Sequence, residues 1–302
     1  MRAPNQTPSP SRLADDEAQF QSLMERPKIA WVTIALLFAA FGLFGVSSYA
    51  YIAGYVSLFW AIAANSVASY MAFTVSHEAS HSSISSNRQL NDWVGRVSML
   101  LLETTPIFMS FRAIHMSHHR FTNDPERDPD YYAGSGPAWL LPLKWLTLDI
   151  GYFRYYLSPE VFKKRPQRER REFYLGLAFG VVTVAAIAAA GWLTYYLLLF
   201  VIPSRVLKFI LGFAFDFLPH YPHQAMSERD PFRSTSNRVG MEWLLTPIFI
   251  YQNYHLVHHL YPTVPFYRNL KVWKSKQNFH NDQNPALVSA FSLKPMAGAV
   301  ER

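Results

Sequence analysis

Ile29–Ser76 reads IAWVTIALLFAAFGLFGVSSYAYIAGYVSLFWAIAANSVASYMAFTVS, 48 positions without one charged residue, followed at once by HEASH (77–81). One bilayer crossing takes about 20 apolar residues, so this stretch is long enough for two. The weaker segment GVSSYAY (45–51) marks the expected turn, giving spans near 29–48 and 52–75. A second uncharged stretch runs from Phe173 to Ser204 and continues past Arg205 and Lys208 to about Pro219. With Gly191 as its turn, it predicts spans near 173–191 and 193–215, and Arg205 would snorkel or pair with Asp216. The expected architecture is an all-α membrane protein of four transmembrane helices in two hairpins.

Composition agrees. Half of the 302 residues are hydrophobic and only 16% are charged, against about 25% in a soluble domain. Lys and Arg cluster before the first hairpin, after the second, and between them at Lys163, Lys164, Arg165, Arg168, Arg170 and Arg171. The expected turns carry none. The positive-inside rule therefore places both termini and the middle segment in the cytoplasm, and it accounts for the net charge of +7 without nucleic acid. Ala138–Leu157, with Trp139, Trp145, Tyr152, Tyr155 and Tyr156, reads as an interfacial helix. Residues 1–28 read as a cytosolic polar tail, with a flexible stretch and an interfacial helix over Met1–Pro27; residues 29–275 form the membrane domain and 276–302 a second cytosolic tail.

The absence of cysteine excludes disulfides, thiolate zinc sites and a built-in iron–sulfur cluster. Any metal must be held by imidazole and oxygen. Eleven histidines are present, and most are grouped. His77 and His81 stand at i, i+4; His115, His118 and His119 at i, i+3, i+4; His255, His258 and His259 repeat that spacing. Residues three and four apart share a helix face, so each group presents its rings from one side. One i, i+4 pair is common by chance, but three groups placed just beyond predicted spans are not surface decoration. His220 follows the last span as a ninth candidate, and His223 is a ligand, a supporting donor or a surface residue. His280, alone in a polar stretch, reads as no ligand.

Nine imidazoles exceed the four that one zinc takes and suit two ions with four or five nitrogens each. Imidazole also accepts copper, nickel or iron, so ligand type leaves the metal open. Glu78, Asp124, Glu126, Asp128, Asp130 and Asp216 are available to orient ring N–H groups, with Glu126 the one that reads as surface charge. A metal transporter would need polar residues inside its spans, and Ile29–Ser76 offers little beyond Asn65 and small hydroxyls. A haem electron carrier would place histidines within facing spans, not in boxes beyond their ends.

HEASH (77–81), HMSHHRFTNDPERDPD (115–130), LPHYPH (218–223) and NYHLVHHLYPTVPFYR (253–268) together resemble the histidine boxes of the membrane fatty acid desaturase and hydroxylase superfamily. Their order and relation to the spans match over roughly residues 30–275. The three residues between the histidines of the first box are similar to acyl-lipid desaturases and to desaturase-like carotenoid ring hydroxylases. The resemblance implies a cytosolic, histidine-rich helical cap that holds two non-haem irons, with His77, His81, His115, His118, His119, His220, His255, His258 and His259 as ligands. It implies no catalytic side chains beyond these, with Asp216, His223, Glu78 and Asp124 as supporting residues. In acyl-CoA desaturases a polar side chain stands one turn before the late histidine, and Asp216 occupies that place. The implied activity is an O₂-dependent oxidation of a bilayer lipid, as a fatty acyl desaturase or alternatively a carotenoid ring or other lipid hydroxylase. Electrons would come from an external donor such as a ferredoxin, steered by the basic segment Lys163–Arg171. Substrate would enter by a slot between Tyr51–Val75 and Trp192–Phe200. The expected location is a bacterial inner membrane, with the histidine boxes cytoplasmic.

Overall fold

The structure is a computed structural model that describes residues 10–296. The first nine residues of the expected tail lie outside it. From Pro10 the chain is helical: α1 (Pro10–Met24) leads into α2 (Trp31–Ile52) and α3 (Leu58–Ser80). Twenty-two residues in α2 extend about 33 Å, enough to cross the hydrocarbon core.

GVSSYAY is not the turn. Inside α2, Ser47 satisfies its hydroxyl by donating to the Leu43 carbonyl at 2.7 Å, so the helix continues through it. The chain reverses at Gly54 instead, where φ is +78°. After the reversal α3 runs back along α2. Ser47 touches Asn65 near the turn, and the Ala30 N–H donates to the Ile84 carbonyl at 2.7 Å at the other end.

The next elements fold back among the long helices, which the sequence reading does not anticipate. α4 (Arg88–Met99) and α5 (Phe108–Phe121) are joined by residues 100–107. That loop would strand carbonyls in an apolar setting, but hydroxyls from two long helices answer them. Ser69 of α3 donates to the Leu101 carbonyl at 2.9 Å, and Ser204 donates to Leu102 at 3.0 Å. Arg96 of α4 binds Glu172 at 2.6 Å, and Arg112 of α5 binds Asp92 at 2.7 Å.

Short helices follow: α6 (Tyr131–Gly134), α7 (Leu141–Leu146), α8 (Leu148–Tyr156) and α9 (Pro159–Phe162). The expected interfacial stretch is thus broken at Thr147, and it is two-sided: Trp139 and Ile150 are exposed, Trp145 and Leu148 buried. α10 (Gln167–Ala189) and a fourth long helix, Leu193–Phe217, are also long and apolar enough to cross a membrane. Gly191, φ +76°, turns between them. Within the fourth helix, Leu197–Val201 and Gly212–Phe217 are wound as π-turns. In the first, the Leu199 carbonyl accepts from Asn65 Nδ2 of α3 at 2.8 Å. Arg205 does not pair with Asp216; it binds Asp149 of α8 at 2.5 Å.

The remaining chain packs at the histidine end of the long helices. It contains the helices Glu242–Ile248, His255–Leu260, Asn269–Ser275 and Gln277–Asp282, plus the parallel strands β1 (Ser236–Val239) and β2 (Ala286–Ser289). The stretch expected as a tail after residue 275 is therefore folded through β2. His280 is buried there, stacked on Trp273 at 4.7 Å and hydrogen-bonded to Tyr261 at 2.9 Å.

Gly180 of α10 lets the 100–107 loop approach: a Cβ there would lie 2.5 Å from Thr105 Cγ2 and 3.3 Å from the Thr104 carbonyl. Gly180→Ala should therefore cost about 1–3 kcal/mol and lower the thermal midpoint in detergent. Gly42→Ala, with nothing within 4 Å, should be neutral or slightly stabilising. Equal midpoints for the two variants would contradict the close approach.

Candidate metal centre

α3 ends in HEAS, so His77 projects from its last turn and His81 caps it. α5 carries His115, His118 and His119, and the helix His255–Leu260 carries the last box. His220 follows the fourth long helix directly. These elements gather nine rings into two groups. His77, His81, His115, His119 and His258 form one, and His118, His220, His255 and His259 form the other; within each, ligating nitrogens all lie within 4.8 Å.

Each HxxHH box is shared between the groups. The i, i+4 pair His115/His119 enters the first group and His118 the second, while His255/His259 enter the second and His258 the first. Adjacent helical residues diverge by about 100°, so the two neighbouring histidines of a box cannot reach the same point. Two boxes facing one another thereby build two sites from one spacing.

The ring nitrogens face too many partners for mutual hydrogen bonding to satisfy them all. His81 and His115 approach at 2.8 Å through Nε2, His119 and His258 at 3.0 Å, His220 and His255 at 3.2 Å, His255 and His259 at 3.1 Å, and His259 and His118 at 3.3 Å. One Nε2 either donates or accepts once, yet those of His255 and His259 each face two others. Nitrogens bound about 2.1 Å from a single ion, at angles between octahedral and tetrahedral, would lie about 3.0–3.4 Å apart. The spacing is that of ligand edges around a cation. His77, His118 and His258 are each 2% exposed or less, whereas His119 and His259 are half-buried and border a surface pocket of about 220 Å³.

Behind these rings the support is uneven. Asp128 Oδ1 accepts from His118 Nδ1 at 2.9 Å, and Asp130 lies 3.4 Å from the same nitrogen. Burial pulls the His118 imidazole down, but Asp130 and Asp128 outweigh it and leave it pushed up to about 9, so a metal bound at Nε2 would displace a proton from it. Burial drives His81, His115, His119, His255, His258 and His259 far below the usual imidazole range, which keeps them neutral and able to ligate. The loop after α5 explains how Asp128 is aimed: its Oδ2 accepts from the Asn123 N–H at 2.7 Å, with Asn123 held at φ +66°. Asn123 Nδ2 in turn donates to the Ala225 and Ser234 carbonyls at 2.8 and 2.7 Å.

Other acidic residues of the boxes work elsewhere. Glu78, fully buried, accepts from Ser83 Oγ at 2.8 Å and the Phe266 N–H at 3.0 Å, tying the first box to the last. Asp124 binds Arg127 and accepts its backbone N–H, while Glu126 is exposed. Asp216 accepts from Tyr152 at 3.3 Å and touches no ring nitrogen directly. His223 lies outside both groups, its Nδ1 3.2 Å from Asn123 Oδ1. Asn123, Gln252 (3.4 Å from His255 Nδ1) and Thr122 (3.5 Å from His259 Nδ1) are contributors that the histidine pattern does not reveal. Their signal is proximity, since Thr122 and Asn123 stand three and four residues after His119 and Gln252 three before His255.

Two cavities lie along the long helices, and neither runs between Tyr51–Val75 and Trp192–Phe200 as expected, the first meeting the former stretch only at Ile52. One cavity of about 370 Å³ runs between Phe44 and Ile52 of α2, Phe179 of α10, and Trp192–Phe200; another, of about 400 Å³, joins α3 to Val206 and Ile210.

Residues 53–285 match the family model described as fatty acid desaturase. The chain belongs to the fatty acid desaturase family. It is therefore a member of a family of oxidoreductases, and its relatives show the family's breadth. A dihydrorhizobitoxine desaturase of Bradyrhizobium elkanii is 27% identical over 64% of this chain. A beta-carotene ketolase of Paracoccus sp. is 31% identical over 65% of it, and an sn-1 acyl-lipid omega-3 desaturase (ferredoxin) of Nostoc sp. is 22% identical over 78%. The aligned region spans 60%, 71% and 70% of these relatives respectively.

Asp128→Ala should lower the affinity for a bound transition metal about 10–100-fold, as loss of a carboxylate behind a ligating imidazole does. Asp124→Ala should leave it unchanged. Metal titration of the two purified variants checks this, and equal affinities would refute the role given to Asp128.

Proposed function

We propose that the protein is an O₂-dependent lipid oxidase with two non-haem irons, acting as a fatty acyl desaturase. The observation that carries this reading is the sharing of two HxxHH boxes between two imidazole groups whose nitrogens are spaced like ligand edges. The five-histidine group would hold one iron and the four-histidine group the other. An all-imidazole donor set suits a redox metal that must keep positions open for a small oxidant. Two irons so held would supply the oxidising power that removal of hydrogen from an unactivated C–H bond requires.

The chain's own residues do the rest. Asp128 holds the His118 proton on Nδ1 and so directs Nε2 inward. Glu78 fixes the first and last boxes in register. Burial of His77, His118 and His258 limits the access of water to that side of the centre. Electrons are supplied by an external donor such as a ferredoxin, the donor printed in the name of the Nostoc relative. The basic residues Lys163, Lys164 and Arg168 are exposed at the start of α10 and suit both an acidic donor and a cytoplasmic orientation in a bacterial inner membrane.

A second reading is oxidation of a carotenoid ring, favoured by the 31% identity to a ketolase. One expression host separates them: a strain making both β-carotene and ordinary phospholipids, with lipids profiled by mass spectrometry. Acyl chains that have lost two hydrogens support the desaturase, and a carotenoid that has gained an oxygen atom supports the second reading. His258→Ala should return the profile to that of the empty host while the protein remains inserted. An unaltered profile with the wild-type protein overturns both.

A further inference from the structure

A group of charges that the metal centre does not use lies where two cavities meet. The outer cavity, about 370 Å³, ends at Glu103, which also lines a narrower one of about 70 Å³ with Phe111, Asp149 and Tyr152. The narrow cavity stops one side chain short of the metal centre: Phe111 of its wall lies parallel to the His115 ring at 5.9 Å and 8°, and Tyr152 donates to Asp216. At the junction Lys208, 4% exposed, binds Glu103 Oε1 at 2.7 Å and donates to Ser204 Oγ at 2.6 Å. Asp149 stands 4.0 Å from Lys208 and is paired with Arg205.

A buried ammonium such as that of Lys208 is expensive, and an apolar side chain would line the passage at less cost. Three of the four are occupied by one another. Lys208 has an acid, a hydroxyl and a second acid around it, and Arg205 and Asp149 form a two-point pair. Glu103 differs. Only its Oε1 is engaged; the side chain is 27% exposed and borders both cavities, and among the described residues no group donates to Oε2, which faces them open to a ligand. An ionised carboxylate is an acceptor with no donor of its own, so its free oxygen calls for a hydrogen-bond donor.

We infer that Glu103 is a substrate subsite: it accepts a hydrogen bond from a hydroxyl borne by the lipid, whose chain fills the outer cavity and whose reacting part enters the narrow one. This deepens the proposed function and rests on it for the site of oxidation. The substrate class it names is a long chain carrying a hydroxyl, not a plain hydrocarbon. Glu103 is a specificity residue, and Lys208 holds it in place.

Two photoreactive probes test it on the purified full-length protein: cetyl alcohol carrying a mid-chain diazirine, and the methyl ether of the same molecule, which keeps the oxygen but lacks the donor. Wild-type protein should be labelled in the outer cavity about tenfold more efficiently by the alcohol, the size expected of one hydrogen bond to a charged group. Glu103→Leu should bring the alcohol down to the ether's level, and Glu103→Gln, which keeps a neutral acceptor, should fall between; iron content should be unchanged in both. Equal labelling of the wild type by the two probes overturns the inference even if no variant folds, and so does a preference that survives in Glu103→Leu. If the wild type prefers the alcohol yet holds no iron and alters no lipid, the subsite stands and the proposed oxidase falls.

Discussion

Nine imidazoles converge in two groups, where more ring nitrogens face one another at 2.8–3.3 Å than their protons and lone pairs can satisfy. That constraint orders the rest of the molecule. Neutral rings at 2.8–3.3 Å through Nε2 compete for protons, and two of them face two neighbours at once. In a dry interior such half-satisfied polar groups are costly. The scaffold must therefore hold them rigidly enough that a metal ion, when bound, recovers the cost.

The devices that do so come from distant parts of the chain. Glu78 bonds the loop at Phe266, 188 positions away, so the first and last boxes move as one. Arg112 joins α5 to both Asp92 and the Ala79 carbonyl at the end of α3. Asn123, in a left-handed conformation, stitches the loop after α5 to the segment after His220 and aims Asp128 at His118. Each tie crosses between boxes, which makes the centre a single mechanical unit built on the ends of two long helices.

Much of this was legible in the sequence. Uncharged length gave four long helices, and helical spacing gave the histidine faces, because both depend only on local periodicity. The turn between α2 and α3 was misread, since serine looks like a turn residue until its hydroxyl is seen back-bonding to Leu43. The inserted loop 100–107 was invisible, because the hydroxyls that make it tolerable, Ser69 and Ser204, are far away in sequence and ordinary in composition. The acids could not be told apart by type: Asp128 faces a ring, Asp124 an arginine, Glu78 a backbone, and only tertiary placement decides which. Arg205 likewise found Asp149 on a helix that periodicity alone had drawn as one continuous piece.

The central claim is that two groups of histidines hold two metal ions. Quantifying iron and other transition metals by plasma mass spectrometry on the purified protein, alongside its visible spectrum, tests it most directly. The account predicts two irons per chain and no Soret band. One metal per chain, or none after expression in iron-replete medium, would contradict it.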